Sequence, residues 1–183
     1  TRPDEEKLIH AADVQIEALA RLGLAGAAEP LSIRLALPER RSGLVLAPGS
    51  GGRAKRLAPL QAGELIGRLG QIKPWPKLVF GPAEEESYRQ AVIGTIVQTG
   101  GQIEVVADPT IEELARLLAA AALYVGADSG VSHLAGALGT ACLVAFGPTD
   151  PRLWAPKGPR VRVCGLEEVA RAAAALAEEI GLV

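Results

Sequence analysis

Short apolar runs alternate with longer helical patterns from about residue 44 to residue 180. This alternation constrains the fold most, because parallel neighbouring strands need a crossover of a dozen or more residues, usually a helix. The predicted strands are residues 44–47, 77–80, 103–106, 122–125, 141–146 and 161–164. The predicted helices between and after them are residues 59–70, 83–97, 110–121, 129–138 and 166–180. The pattern predicts an α/β domain, a Rossmann-like parallel sheet with helices on both faces.

Composition excludes several other classes of protein. The 183 residues suffice for one α/β domain, and the net charge of −2 provides no basic surface for nucleic acid, so no nucleic-acid partner is expected. The two cysteines, Cys142 and Cys164, lie far apart in apolar runs, which predicts buried free thiols and a reducing compartment. The histidines and cysteines show no metal-ligand spacing, so we expect neither a metal site nor a cofactor.

The N-terminal part of the chain stands apart from this rhythm. Apolar residues recur at helical spacing over residues 5–22, and Gly23 and Gly26 end the pattern. The chain contains no methionine and begins at Thr1, so we expect it to be a piece of a longer protein.

A glycine-rich loop follows the first strand of the sheet. Its residues Gly49 to Ala54 match the relaxed dinucleotide fingerprint G-x-G-x-x-A, and Lys55 makes it a near-miss for a P-loop. Neither motif is complete, because each lacks a residue that its chemistry requires. The second strand does not end in the acid that would hold a ribose, and Arg56 replaces the hydroxyl that would hold magnesium. A phosphate site using Ser50, Gly51, Gly52 and Lys55 remains, with a solvated turn as the alternative.

A second candidate loop leads from a strand into a helix and reads GADSGVSHLAGALG. Asp128 or Ser129 can cap the helix, Gly130 permits close approach, and first-turn amides favour an anion. His133 lies one turn further on the same face, so these groups are expected to converge. In the alternative, Asp128 only caps the helix and His133 bonds a core carbonyl.

Two further loops have unusual composition. Glu84 and Glu85 lie in GPAEEE, where acids either stabilise a first helical turn or bind a ribose or base. Trp154 lies in FGPTDPRLWAP, where it either stacks on a ligand, wedges against another domain, or pins a proline-stiffened loop.

Four motifs, in this order and spacing, resemble glycosyltransferase family 9, the ADP-heptose:lipopolysaccharide heptosyltransferases. They are PGSGGRAKRL, GPAEEE, GADSGVSHLAGALGT and AFGPTDPRLWAP, within about residues 40–160, and HAADVQIEALARLGL resembles the family's interdomain linker helix. The resemblance implies the C-terminal half of a GT-B fold, which is built from two Rossmann-like domains. Residues 1–30 would be a linker helix from a missing N-terminal domain, and residues 31–183 the domain that binds a nucleotide-sugar donor.

The resemblance also implies roles for individual residues. Ser50 and Gly51 would hold the donor diphosphate, and Lys55 would neutralise charge on the leaving nucleoside diphosphate. Glu84 or Glu85 would bind the nucleoside, and Asp128 would contact the sugar. Ser129, Gly130 and His133 would complete the phosphate site. Leu57 departs from the family, which often has an aromatic residue soon after the lysine.

The implied partners are an ADP-sugar or other nucleotide-sugar donor and a lipopolysaccharide-type acceptor, the latter bound through the N-terminal domain. That domain would also supply the catalytic base, so this chain alone is expected to bind nucleotide without catalysing transfer. The implied location is cytoplasmic, with peripheral association of the full protein at the inner face of the inner membrane. The alternatives are a GT-B-like transferase or epimerase that uses a UDP-sugar, and a non-catalytic nucleotide-binding domain. A dinucleotide oxidoreductase is disfavoured by the missing ribose acid.

Overall fold

The computed structural model describes residues 8–24, 26, 32, 33, 35 and 40–183. The strands are Leu44–Ala47 (β1), Lys77–Phe80 (β2), Glu104–Ala107 (β3), Leu123–Ala127 (β4), Ala141–Phe146 (β5) and Val161–Gly165 (β6). The helices are Ala11–Ala20 (α1), Pro59–Leu69 (α2), Glu86–Gln98 (α3), Ile111–Ala120 (α4), Gly130–Ala137 (α5), Pro151–Trp154 (α6) and Val169–Glu179 (α7). Short 3-10 turns occupy Arg53–Lys55 and Leu166–Glu168.

The strands form one parallel sheet in the order β3-β2-β1-β4-β5-β6. The chain builds outward from β1 to β3, then returns to place β4 against the other side of β1. The order therefore reverses between β1 and β4, and in open α/β sheets ligands bind beyond the carboxyl ends of the strands at such a point.

Successive apolar side chains of the central strands point to opposite faces of the sheet, so that a hydrophobic core forms on each face. Leu46, Leu78 and Leu143 pack under α2, α3 and α7, whereas Val45, Val79 and Val144 pack under α4 and α5. Buried strands that are apolar on both faces are expected in a parallel sheet covered by helices. The predicted α/β fold with two covered faces is confirmed.

Local signals located most elements within a few residues. Pro59 opens α2, and Thr110 with Glu113 forms the capping box of α4, as the sequence predicts. The four-residue helix α6 was not predicted; the Asp150 side chain caps it by accepting from the Arg152 amide at 2.9 Å.

The first predicted helix, residues 5–22, is longer than the helix observed. Leu8 has a φ of 51° and residues 8–10 are not helical, because His10 caps α1 through its Nδ1, which accepts from Ala12 N at 3.1 Å. Residues 5–7 of the prediction lie outside the described residues. Several residues near the expected boundary at residue 30 lie outside them too, so the division into 1–30 and 31–183 stays a prediction.

The two cysteines are both free thiols but differ in burial. Cys142 on β5 is buried, whereas Cys164 on the edge strand β6 is only partly buried, so the prediction of two buried thiols was wrong for Cys164. Within the described part of the chain, no helix combines the length and apolar character needed to cross a membrane.

Candidate functional site

A cleft of about 210 Å³ lies at the reversal point between β1 and β4. Its walls come from three of the loops with unusual composition, within residues 47–51, 79–84 and 129–131. These loops follow β1, β2 and β4, whose carboxyl ends meet at one edge of a parallel sheet. The sheet order therefore brings together motifs that are up to 80 residues apart in sequence.

The glycine-rich loop does not form either of the phosphate loops that its text resembles. In both of those, the loop leads directly into a helix whose N-terminus holds the phosphate. Here a 3-10 turn, Arg53–Lys55, and an extended stretch separate the loop from α2, which begins at Pro59. Gly49 makes room for the Glu84 side chain, because a Cβ at residue 49 would lie 2.3 Å from the Glu84 carboxyl carbon.

The helix N-terminus at the cleft belongs to α5 instead. Gly51 and Gly130 both border the cleft, and a Cβ at either would meet no atom within 4 Å. Ser129 occupies the N-cap position but makes no capping hydrogen bond, and its Oγ is buried near the Tyr124 hydroxyl without a well-formed hydrogen bond to any described residue. The expected cap by Asp128 or Ser129 is therefore wrong, and the first-turn amides of α5 are left for an anion.

A buried hydroxyl network holds α5 in this position. Ser132 Oγ donates to the Ala127 carbonyl at 2.6 Å and lies 2.9 Å from the Tyr124 hydroxyl. Gly126 leaves room for that phenol, because a Cβ at residue 126 would lie 2.0 Å from its oxygen. The network ties the first turn of α5 to the end of β4.

Asp128 joins three loops beside the cleft; it directly precedes Ser129, which lines the cleft, but neither Asp128 nor Lys55 lines it. Its Oδ2 accepts from Lys55 Nζ at 3.1 Å and from Thr149 Oγ1 at 2.7 Å, and its backbone carbonyl accepts from Ser50 Oγ at 2.8 Å. The Asp128 side chain is 8% exposed and that of Lys55 is 29% exposed. The loops after β1, β4 and β5 therefore meet at one carboxylate, with a cation beside it.

The two candidate glutamates have different surroundings. Glu84 lines the cleft, and its Oε2 accepts from Gly81 N at 2.6 Å. Glu85 instead accepts from Arg53 at 3.0 and 2.7 Å and from Arg56. The hydrogen bond from Arg56, with a backbone hydrogen bond and those from Arg53, lowers the pKa of Glu85 to about 2. The structure thus brings Glu84, but not Glu85, to the cleft.

Arg56 is a residue of the site region that sequence reasoning missed. It is 9% exposed; its Nε donates to Ser50 O at 2.8 Å, and a terminal nitrogen donates to Ala83 O at 3.0 Å. Its guanidinium carbon lies 5.2 Å from the centre of the Tyr88 ring. Arg56 therefore links two walls of the cleft, since Ser50 and Ala83 lie in different walls. The sequence did not indicate this role. There, Arg56 served only to exclude a P-loop, because it replaces the serine or threonine that would bind magnesium.

His133 faces a second cavity of about 340 Å³ between α1, α5 and α6. Trp154 and His10 also line it, and His10 Nε2 lies 2.9 Å from the Ala155 carbonyl. Burial lowers the pKa of His133, and the negative charge of Asp128 opposes that shift. His133 is therefore within electrostatic reach of Asp128 but does not line the cleft with Ser129 and Gly130.

In the ranges that the structure describes, no three His, Cys, Asp or Glu side chains are grouped so that they could hold a metal ion. Cationic side chains surround the cleft instead: Lys55 pairs with Asp128, Arg56 donates to the Ser50 and Ala83 carbonyls, and Arg89 donates to the Gly81 and Glu84 carbonyls.

Comparisons with known proteins identify the family. The model of glycosyltransferase family 9 (heptosyltransferase) matches residues 17–178. Lipopolysaccharide heptosyltransferase 1 of Escherichia coli K12 is 37% identical over 102 residues, which are 55% of this chain and 30% of that protein. The enzyme of the same name from Salmonella typhimurium is 34% identical over 101 residues, 55% of this chain and 31% of that protein.

Solved structures resemble the fold. The E. coli heptosyltransferase WaaC with ADP is 31% identical, with a TM-score of 0.64 over 79% of this chain and 46% of that chain. A glycosyltransferase family 9 protein from Veillonella parvula has a TM-score of 0.77 over 98% of this chain and 62% of its own, at 20% identity. The chain spans less than two thirds of each of these relatives. Because the family model covers nearly the whole chain, this protein belongs to glycosyltransferase family 9.

Proposed function

We propose that this chain is the donor-binding domain of a heptosyltransferase-like enzyme. The enzyme would transfer a sugar from a nucleotide-diphosphate sugar, ADP-heptose in the first instance, to a lipopolysaccharide-type acceptor. One observation carries the proposal: the cleft at the β1–β4 reversal has the open N-terminus of α5 on one wall and the glycine loop on the other. Similar proteins have been solved with ADP and with ADP-2-deoxy-2-fluoro heptose.

The diphosphate would lie between Gly51 and Gly130. Both positions are open to close approach, and amides of a first helical turn combine with the helix dipole to favour negative charge. The Ser50 hydroxyl is already bonded to the Asp128 carbonyl, so Ser50 would contribute its backbone amide and the shape of the loop. Ser129 would add its hydroxyl, which makes no well-formed hydrogen bond to any described residue.

Lys55 would stabilise the leaving nucleoside diphosphate. Negative charge grows on that group as the glycosidic bond breaks, and a cation already in place stabilises the transition state more than the ground state. In the structure Lys55 is held by Asp128, close to the cleft but paired. Donor binding would therefore redistribute Lys55 between the carboxylate and the phosphate, while Asp128 contacts the sugar.

Glu84 would bind the nucleoside, because its carboxylate is in the cleft. Glu85 is the weaker candidate, since two arginines already occupy its oxygens. His133 would act at the phosphate site through its proximity to Asp128, from the side of the second cavity.

Glycosyl transfer also needs an acceptor site and a base for the acceptor hydroxyl. Every motif that carries the family resemblance here is a donor motif, so these functions would belong to another part of a longer protein. We therefore propose that the chain by itself binds nucleotide but does not catalyse transfer. The full protein would act in the cytoplasm, at the inner face of the inner membrane, and would use no metal ion or cofactor.

Calorimetric titration of the chain with ADP, UDP and adenosine tests the donor assignment. We expect ADP to bind more tightly than adenosine, because most of the proposed contacts are to the phosphates. We also expect ADP to bind more tightly than UDP, because the proposed donor is ADP-heptose. Preference for UDP would indicate a UDP-sugar enzyme instead. Failure of all three to bind would refute the donor-site proposal, and heptosyl transfer by the chain alone would refute the division of labour.

A further inference from the structure

Thr149 binds the Asp128 side chain, and none of the roles above uses this contact. It lies in the loop after β5, and its Oγ1 donates to Asp128 Oδ2 at 2.7 Å. Lys55 donates to the same oxygen at 3.1 Å. Among the described residues no side chain donates to the other oxygen, Oδ1. Two donors on one oxygen fix the rotation of the carboxylate, and Oδ1 has no side-chain donor among these residues.

The loop that carries Thr149 is itself held at both ends. At Gly147 an added Cβ would lie 2.7 Å from the Leu166 side chain and 3.3 Å from the Ala54 carbonyl, so the backbone is packed closely there. Three residues beyond Gly147, Asp150 caps α6, which begins at Pro151. Thr149 is therefore presented by a constrained backbone, and its hydroxyl position is set before any ligand arrives.

Lys55 cannot serve Asp128 in the same constant way. If Lys55 turns to a bound diphosphate, as proposed above, it gives up part of its contact with the carboxylate. Asp128 is 8% exposed, and a buried carboxylate that loses a donor is costly unless another remains. Thr149 is the donor that remains, because it lies in the loop after β5, none of whose residues lines the cleft.

We propose that Thr149 is a positioning residue for the donor sugar. It holds Asp128 Oδ2, so that Oδ1 is presented to a sugar hydroxyl when Lys55 has moved to the diphosphate. This inference rests on the proposed function. It assigns to Thr149 a part in recognition of the glycosyl unit and none in recognition of the nucleotide.

The test compares ADP-heptose with ADP by calorimetry on the chain and its variants. Thr149→Val keeps the shape and removes the hydroxyl, and Thr149→Ser restores it. We expect Thr149→Val to weaken ADP-heptose binding about tenfold, to leave ADP binding within about twofold, and we expect Thr149→Ser to bind both ligands like the unchanged chain. Thr149→Ala is a second variant, for the case in which valine does not fold.

Thr95→Val provides the matched control. Thr95 is also half-buried, and its hydroxyl donates a single hydrogen bond of 2.8 Å, to Ala91 O on α3 outside the cleft. Equal loss of both ligands in Thr149→Val, or no loss of ADP-heptose, would overturn the inference while leaving the donor site intact. Absence of nucleotide binding by the unchanged chain would instead refute the proposed function and this inference with it.

Discussion

Replacing Lys55 by methionine tests the electrostatic basis of the proposed site. Methionine keeps most of the length and apolar stem of lysine and removes the charge together with the N–H donors. The Asp128 carboxylate keeps its hydrogen bond from Thr149, so we expect the variant to remain folded. ADP affinity is expected to fall, whereas adenosine affinity is expected to stay the same, because adenosine has no phosphate.

The size of the loss follows from the surroundings of Lys55. A hydrogen bond between a lysine and a charged acceptor contributes about 1.5–3 kcal/mol. Binding must first weaken the pair with Asp128. Lys55 is 29% exposed and Asp128 keeps its hydrogen bond from Thr149, so we take this cost as about 1 kcal/mol. The net effect is about 0.5–2 kcal/mol, which corresponds to about a 2- to 30-fold rise in the dissociation constant of ADP.

Lys77→Met is the matched control for this measurement. Lys77 is 28% exposed and also pairs with one carboxylate, that of Glu104, but it begins β2 at the opposite edge of the sheet from the cleft. We expect this variant to bind ADP like the unchanged chain. If Lys55→Met binds ADP within twofold of the unchanged chain, or loses adenosine affinity equally, then Lys55 does not act on the phosphates.

Four further outcomes are expected. Glu84→Gln should weaken ADP and adenosine alike, by about tenfold in calorimetry, whereas Glu85→Gln should change neither more than twofold. Because Arg56 and a second arginine hold the pKa of Glu85 at about 2, the pairing stabilises the fold above the unfolded-state pKa of about 4.3. That contribution is lost as the pH falls from about 4.3 toward 2. In urea melts over this pH range, the free energy of unfolding should therefore fall less for Glu85→Gln than for the unchanged chain. Burial raises the pKa of Cys142 to about 12 and of Cys164 to about 11, so at pH 8 both should react with iodoacetamide more than about 100-fold more slowly than free cysteine until the protein unfolds. ADP affinity should be equal in EDTA and in magnesium, since protein groups are proposed to hold the phosphates; a magnesium-dependent affinity would contradict this.

The elements of the sheet were predictable because their signals are local. A run such as ACLVAF is too short for a helix and too apolar for a loop, and the Thr110–Glu113 capping box marks a helix start within four residues. Failures occurred where a local signal was weak. Helix α6 has only four residues, and residues 8–10 were drawn into a helix whose cap, His10, is not a usual N-cap residue.

Predictions about the site were less complete. Glu84 and Glu85 are equivalent in the sequence, and they differ only because Arg53 and Arg56, about 30 residues earlier, take up the oxygens of Glu85. His133 was expected beside the other anion-binding groups of its helix, but it faces a second cavity. Both outcomes depend on which loop packs against which.

The sequence by itself determined the parallel α/β architecture and which loops carry the unusual chemistry, because strand and helix preferences and capping act over a few residues. Only the tertiary structure decided that these loops form one cleft, that Asp128 has partners 73 residues before it and 21 residues after it, and that Arg56 supports two walls. The physical reason is the strand order. It places the ends of β1, β4 and β5 side by side, and hydrogen bonds between loops form only once those ends are adjacent.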